Sequence, residues 1–176
     1  MPKLLTPRLK LIPLTYQQLI ILSKDRNSLE KSMELKPSLF ELSDDGSFLK
    51  EFYHALGSYT LPQVRVARDR FEWFTHWLIV DRIVNITVGG IGCAGLPDRS
   101  GQVMIGYFTD KKFEGRGYAS EAVESLTNWI FENPSVRVIV ADTLSDAPAS
   151  QKVLQKNGFK PAGTVEEGLR WKLDRY

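Results

Sequence analysis

Apolar and polar positions alternate along "RLKLIPL" (8–14), the period of a half-buried strand, which Pro13 ends. Thr15 then stands where a helix N-cap belongs, ahead of "YQQLIILSKD", whose Leu19, Ile20 and Leu22 form an apolar face. Residues 28–57 carry further helical stretches around Pro37 and the polar turn "SDDGS". "FEWFTHWLIV" and "IVNITVGGIGCAG" predict two strands joined as a hairpin at "DRIVN". After the turn "LPDRSG", the segment "QVMIGYFT" (102–109) predicts the next strand. A helix follows through "EAVESLTNWIFEN", with Ala122, Leu126, Trp129 and Ile130 at helical spacing and Pro134 beyond its end. "VRVIVADTL" (136–144) is a nearly continuous apolar run, as in a strand covered on both faces. "DAPASQKVLQKNGF" predicts a second capped helix stopped by Gly158, and "LRWKL" (169–173) a last strand.

These elements predict one mixed α/β domain over residues 1–176, antiparallel strands first and then strand–helix–strand–helix–strand. The crossover helix between 102–109 and 136–144 makes those two strands parallel, and both helices start near the same end of the sheet. The strands are expected to diverge near Thr109 and Leu144. A length of 176 residues suits one core, and 43% hydrophobic with 25% charged residues excludes a disordered or fibrous chain. A net charge of +2, with no basic cluster, argues against a nucleic-acid partner. The single cysteine, Cys93, fits a reducing compartment, and neither a secretory signal nor a membrane-spanning run is found. The expectation is a soluble cytoplasmic protein without a membrane partner.

"FEGRGYASEAV" (113–123) opens the long helix on Gly115 and Gly117. Glycine there allows dihedrals and close approach that a Cβ forbids, and the orphan N–H groups of a helix start suit phosphate. Arg116 adds a cation with fork geometry. A plain tight loop is the bland alternative. "GRGYAS" lacks the third glycine or alanine of the dinucleotide fingerprint, and no Walker-type loop occurs.

"IGYFTDKKFEGRGYASEAV", followed by "ADTLSDAPASQKVLQKNGF", resembles the two central motifs of the GCN5-related N-acetyltransferases. The ribosomal-protein-alanine acetyltransferase branch is the nearest flavour, and "LLTPRLKLIPLT" and "LRWKL" fit it too; the likeness is weakest over residues 25–70. The resemblance implies an acyl-CoA N-acyltransferase fold: a mostly antiparallel central sheet, a splayed parallel strand pair, helices on both faces. It implies acetyl-CoA as cosubstrate, with its pyrophosphate on the amides of Glu114, Gly115, Arg116, Gly117, Tyr118, Ala119 and Ser120. Its pantetheine arm would pair with Tyr107, Phe108 and Thr109 like an added strand. It implies no metal, and it leaves a homodimer open.

The implied activity is acetyl transfer to a primary amine, a protein N-terminus or a small molecule, by direct attack. Ser150 stands where this branch places a serine near the thioester sulfur, and its hydroxyl is either a proton donor to the thiolate or a helix-start cap. Other family members use a tyrosine at the position of Leu154. Asp142 matches an acidic base of related enzymes, against a purely structural aspartate. Ala147 replaces a common asparagine of the cofactor corner, and Met104 and Ala162 replace glutamates. Those departures keep open a CoA-binding sensor or scaffold without turnover. His76 and Cys93 are expected to be structural. The acceptor is expected to be read by residues 25–80, where an acidic cleft would favour polyamines or aminoglycosides and a narrow slot a protein N-terminus.

Overall fold

The computed structural model describes residues 3–44 and 46–176; Met1, Pro2 and Asp45, which belong to the N-terminal and "SDDGS" stretches above, lie outside them. Eight strands run β1 (Leu4–Leu5), β2 (Leu9–Pro13), β3 (Trp77–Asp81), β4 (Ile86–Cys93), β5 (Gln102–Thr109), β6 (Val138–Leu144), β7 (Lys160–Val165) and β8 (Gly168–Asp174). Six α-helices are α1 (Tyr16–Lys24), α2 (Arg26–Ser32), α3 (Ser47–Ala55), α4 (Leu61–Ala67), α5 (Tyr118–Phe131) and α6 (Pro148–Lys156). The sheet order is β1-β2-β3-β4-β5-β6-β8-β7. β5 and β6 are parallel; every other neighbouring pair is antiparallel.

The sheet separates two cores, and β3 shows how. Trp77 and Ile79 enter the core under α5 and α6, while Leu78 and Val80 enter the core under α1, α2 and α4. Successive side chains point to opposite faces, so a strand covered on both sides must be apolar throughout. Thr15 caps α1 in a capping box with Gln18. Leu19 and Leu22 are buried there, joined by half-buried Ile21 rather than Ile20.

The structure corrects several expectations. Residues 71–73 of "FEWFTHWLIV" coil into a 3-10 turn, because Trp73 packs its ring on Trp129 at 4.7 Å. The strand pairing stops at Pro13 and Trp77; beyond it the Leu14 N–H donates to the His76 carbonyl at 3.0 Å, and the Leu14 carbonyl accepts from the Thr75 hydroxyl at 2.5 Å. β7 went unread because "KPAGTV" holds a proline, a glycine and a register shift between Pro161 and Thr164. α6 has no side-chain cap; Ala147 occupies the N-cap and Pro148 the first turn. The parallel pairing of β5 with β6 ends at Met104 and Val140, well short of Thr109 and Leu144. No helix among the described residues is long and apolar enough to cross a membrane.

The turn before α5 is braced from the N-terminus. Glu121 in the first turn accepts from the Thr6 hydroxyl (2.5 Å), the Arg8 backbone N–H (3.0 Å) and Arg8 Nε (2.7 Å). Arg8 Nη1 also donates to the Arg116 carbonyl at 2.9 Å, and its guanidinium lies over the Tyr118 ring. The Tyr118 hydroxyl donates to Asp81 at 2.6 Å. Burial alone would raise the Asp81 carboxyl, yet the Tyr118 hydroxyl, two backbone N–H groups and Arg8 hold it below the ordinary range. Glu121→Ala leaves three donors without their acceptor, so urea unfolding at pH 7 should show a loss of about 1–3 kcal/mol. A loss under about 0.5 kcal/mol would mean the brace is only a surface contact.

Candidate active site

β5 and β6 pair at Gln102–Val138, Val103–Ile139 and Met104–Val140 and then part. Beyond that point β5 stays with β4 out to Thr109, and β6 stays with β8 out to Leu144. Two cavities meet where they part. One, of about 350 Å³, lies between β5 and the starts of α5 and α6; Tyr107, Gly115, Gly117, Ser120, Ser150 and Lys152 are among its walls. The other, of about 450 Å³, lies towards α3 and is walled by Phe48, Phe52, His76, Met104, Phe108 and Asp142 among others. Tyr107, Phe108 and Ser150 belong to both.

Gly115 and Gly117 have φ of +71° and +79°, the left-handed region that glycine adopts without strain. A Cβ on Gly115 would meet nothing, and on Gly117 only Arg8 Nη2 at 3.4 Å. Backbone conformation, not crowding by the protein, therefore demands glycine at both. No side chain caps α5, and Gly117, Tyr118, Ala119 and Ser120 at its start line the smaller cavity at the positive end of the helix dipole. Lys152 and Lys156, four residues apart on α6, line the same cavity. Free amides, two ammonium groups and a sheet edge fit a pyrophosphate joined to a linear amide chain.

Comparison with known proteins agrees. The family model described as "Acetyltransferase (GNAT) domain" matches residues 27–160. The chain belongs to the GNAT acetyltransferase family. A curated relative, "Uncharacterized N-acetyltransferase YjdG" of Bacillus subtilis (strain 168), is 34% identical over 109 residues, 62% of this chain and 64% of its own length. The chain thus matches less than two thirds of that relative. RimL, a ribosomal L7/L12 α-N-protein acetyltransferase solved with coenzyme A, superposes with TM-score 0.68 at 18% identity, covering 98% of each chain. The ribosomal-protein-S5-alanine acetyltransferase of Vibrio fischeri gives TM-score 0.67 at 14% identity, covering 99% of this chain and 97% of that one. These likenesses bear on the fold.

Within this GNAT scaffold the expected site residues fall into two groups. Tyr107, Phe108, Thr109, Glu114, Gly115, Gly117, Tyr118, Ala119, Ser120 and Ser150 line the smaller cavity. Arg116 and Ala147 are not among its walls. The Arg116 guanidinium lies 5.5 Å from the Phe113 ring centre, and Ala147 ends in the α6 cap. The lysines that do line the cavity, Lys152 and Lys156, were missed; their i, i+4 spacing in a strongly polar helix was the available signal. Tyr107 carries more than backbone: its phenol donates to the Ser150 carbonyl at 2.9 Å across the gap, and burial pushes its pKa up.

Asp142 lines the larger cavity, but both its oxygens accept from Arg170, Nε at 2.8 Å and Nη2 at 2.8 Å. Each oxygen thus carries one charge-assisted hydrogen bond of a bidentate pair. Met104 lines that cavity too, whereas Ala162 is exposed on β7 and walls neither. Cys93 is buried, its pKa pushed up to about 12 by burial, so it remains a thiol. His76 stacks on Phe108 with an interplanar angle of 2°, and its buried Nε2 has no hydrogen-bond partner. Burial, then the nearby Arg26 charge, depress its pKa from 6.5 to about 3.

That depression has a measurable sign. Between pH 6.5 and 3 the unfolded chain binds a proton at His76 that the folded chain refuses. Its contribution to stability is complete above pH 6.5 and falls with decreasing pH, by at most about 1.4 kcal/mol per unit. Urea unfolding at pH 7.0, 6.0 and 5.0, above the range in which carboxylates titrate, should show that decline, and His76→Gln should flatten it. Parallel declines in both proteins would show that His76 is protonated in the fold.

Proposed function

We propose that the protein is an N-acetyltransferase that moves an acetyl group from acetyl-CoA to a primary amine. The observation that carries this reading is the meeting of two cavities at Tyr107, Phe108 and Ser150, where β5 and β6 part. One cavity has the glycine turn and the lysines for a nucleotide-borne pyrophosphate; the other has no lysine or arginine in its walls and takes the acceptor. Acetyl-CoA supplies the activated acyl group as a thioester. The acceptor nitrogen forms the new N–C bond as the C–S bond breaks; the nitrogen gives up one proton and the sulfur gains one. Products are an N-acetyl amide and the free thiol.

Ser150 borders both cavities, and its hydroxyl supplies the sulfur's proton or a hydrogen bond to it as charge develops. The Tyr107 phenol holds the Ser150 carbonyl and so fixes the first turn of α6. Because Arg170 occupies both oxygens of Asp142, the sequence-based assignment of Asp142 as base gives way to loss of the amine proton to solvent. The fold, one domain over residues 1–176, and the single reduced cysteine suit a cytoplasmic enzyme.

Two variants separate cofactor binding from turnover. Lys152→Glu with Lys156→Glu should weaken acetyl-CoA binding by tenfold or more in calorimetry, and Gly117→Val should do likewise, by straining the turn and filling its concave side. Unchanged affinity in both would remove the cofactor from this cavity. Ser150→Ala should lower kcat about a hundredfold with little change in acetyl-CoA affinity; a loss under about threefold would leave Ser150 as a helix-start residue. Under solvent deprotonation the acidic limb of the pH–rate profile follows the acceptor amine's own ionisation and survives Asp142→Asn. Disappearance of that limb would restore Asp142 as the base. Tight acetyl-CoA binding with no turnover of any amine would instead support the scaffold reading.

A further inference from the structure

The walls of the larger cavity say what kind of amine it takes. On the α3 side, Phe52 meets His76 edge-on at 4.9 Å and Phe108 edge-on at 5.6 Å, and Phe48 leans on Phe108 at 5.1 Å. His76 is uncharged in this setting. Beside Phe108, on the same face of the sheet, the wall is small, with Gly92 and Gly106 paired on neighbouring strands. The only carboxylate among the lining residues is Asp142, and Arg170 already holds both its oxygens.

The charge behind this wall is positive. Arg26 lies over the Phe40 ring at 4.4 Å, and Phe40 abuts Phe108. Its Nη1 and Nη2 are buried and have no hydrogen-bond partner, and its charge is felt at His76. A second ammonium entering the cavity would lose its water, find no free carboxylate, and face that cation.

We propose that the acceptor is a small primary amine bearing one aromatic or branched apolar group and no second cation; this rests on the acetyltransferase reading above. The cavity of about 450 Å³ is of small-molecule size. The apolar group lies among Phe48, Phe52 and Phe108, and the amine points to Ser150 at the mouth shared with the cofactor cavity. A peptide N-terminus would need partners for successive main-chain amides, and the open strand edge that could supply them is the one the cofactor's arm takes in the reading above. Two of the hydroxyls here already donate within the protein, Thr75 to the Leu14 carbonyl and Tyr107 to the Ser150 carbonyl. The transfer is the one written above, an amine N–H exchanged for N–acetyl while the sulfur takes the proton.

The test is an acceptor panel with the full chain and acetyl-CoA: 2-phenylethylamine, isopentylamine, ethylamine, spermidine, kanamycin, and tetrapeptides beginning with Ala or Phe. The two apolar monoamines should exceed spermidine, kanamycin and both peptides by at least tenfold in kcat/KM. Faster turnover of spermidine, kanamycin or a peptide overturns the proposal and leaves the acetyltransferase reading intact. Acetyl-CoA binding without turnover of any amine overturns both. Two variants probe the cavity itself. A Cβ on Gly106 would meet nothing within 4 Å, so Gly106→Val narrows the cavity without a backbone clash. It should reduce kcat/KM for 2-phenylethylamine at least tenfold and for ethylamine less than threefold. Phe48, 38% exposed at the rim, can be replaced without emptying a core, and Phe48→Glu should raise spermidine relative to 2-phenylethylamine at least fivefold. Equal losses for all amines in Gly106→Val, or an unchanged ratio in Phe48→Glu, would place the acceptor elsewhere.

Discussion

The structure depends on a sheet that stops pairing in its middle. β5 and β6 share three residue pairs, after which each follows its outer neighbour, β4 and β8 respectively. The facing edges from Ile105 to Thr109 and from Ala141 to Leu144 are left without a partner strand. Backbone groups withdrawn from a ladder must be satisfied by water or by a ligand with its own donors and acceptors. A linear chain of amides does this better than a compact molecule, and the gap thereby favours such an arm before any side chain contributes. The gap also fixes both helix starts, since α5 leaves the end of β5 and α6 the end of β6.

Around that gap the strands are packed on both faces. Two separate cores clamp the strands from opposite faces, one under α5 and α6 and the other under α1, α2 and α4. The glycine turn has no core of its own and borrows firmness from the N-terminus through Thr6, Arg8 and Glu121. Charge is divided in the same way as space. Lys152 and Lys156 line the smaller cavity, while at the larger one the buried groups that could titrate, His76 and Cys93, are both held neutral by burial. The walls of the larger cavity thus offer shape and apolar contact more than ion pairing.

Much of this was legible in the chain itself because local and tertiary preferences agree there. "QVMIGYFT" became β5 over the residues expected, and the apolar run from Val138 made β6 its parallel neighbour. Legibility failed where long-range packing overrode a local pattern. "FEWFTHW" alternates well enough for a strand, yet Trp73 turns to meet Trp129, a partner 56 positions away. Asp142 could be read as a base because its partner Arg170 sits on a strand that only the fold places beside it. Arg116, read from its place between two glycines as a phosphate cation, has its guanidinium beside the Phe113 ring, a direction that its neighbours in sequence do not specify. The brace from Arg8 to Glu121 spans 113 positions and was invisible for the same reason.

Amide hydrogen exchange with and without acetyl-CoA tests the central claim most directly, because it reads the backbone groups that the gap leaves open. The account requires acetyl-CoA to slow exchange at residues 107–109 and 115–120, with little change along β2 and β3. Exchange unaltered in both segments would contradict it, as would protection confined to the separate cavity bordered by Phe131, Asn157 and Arg175.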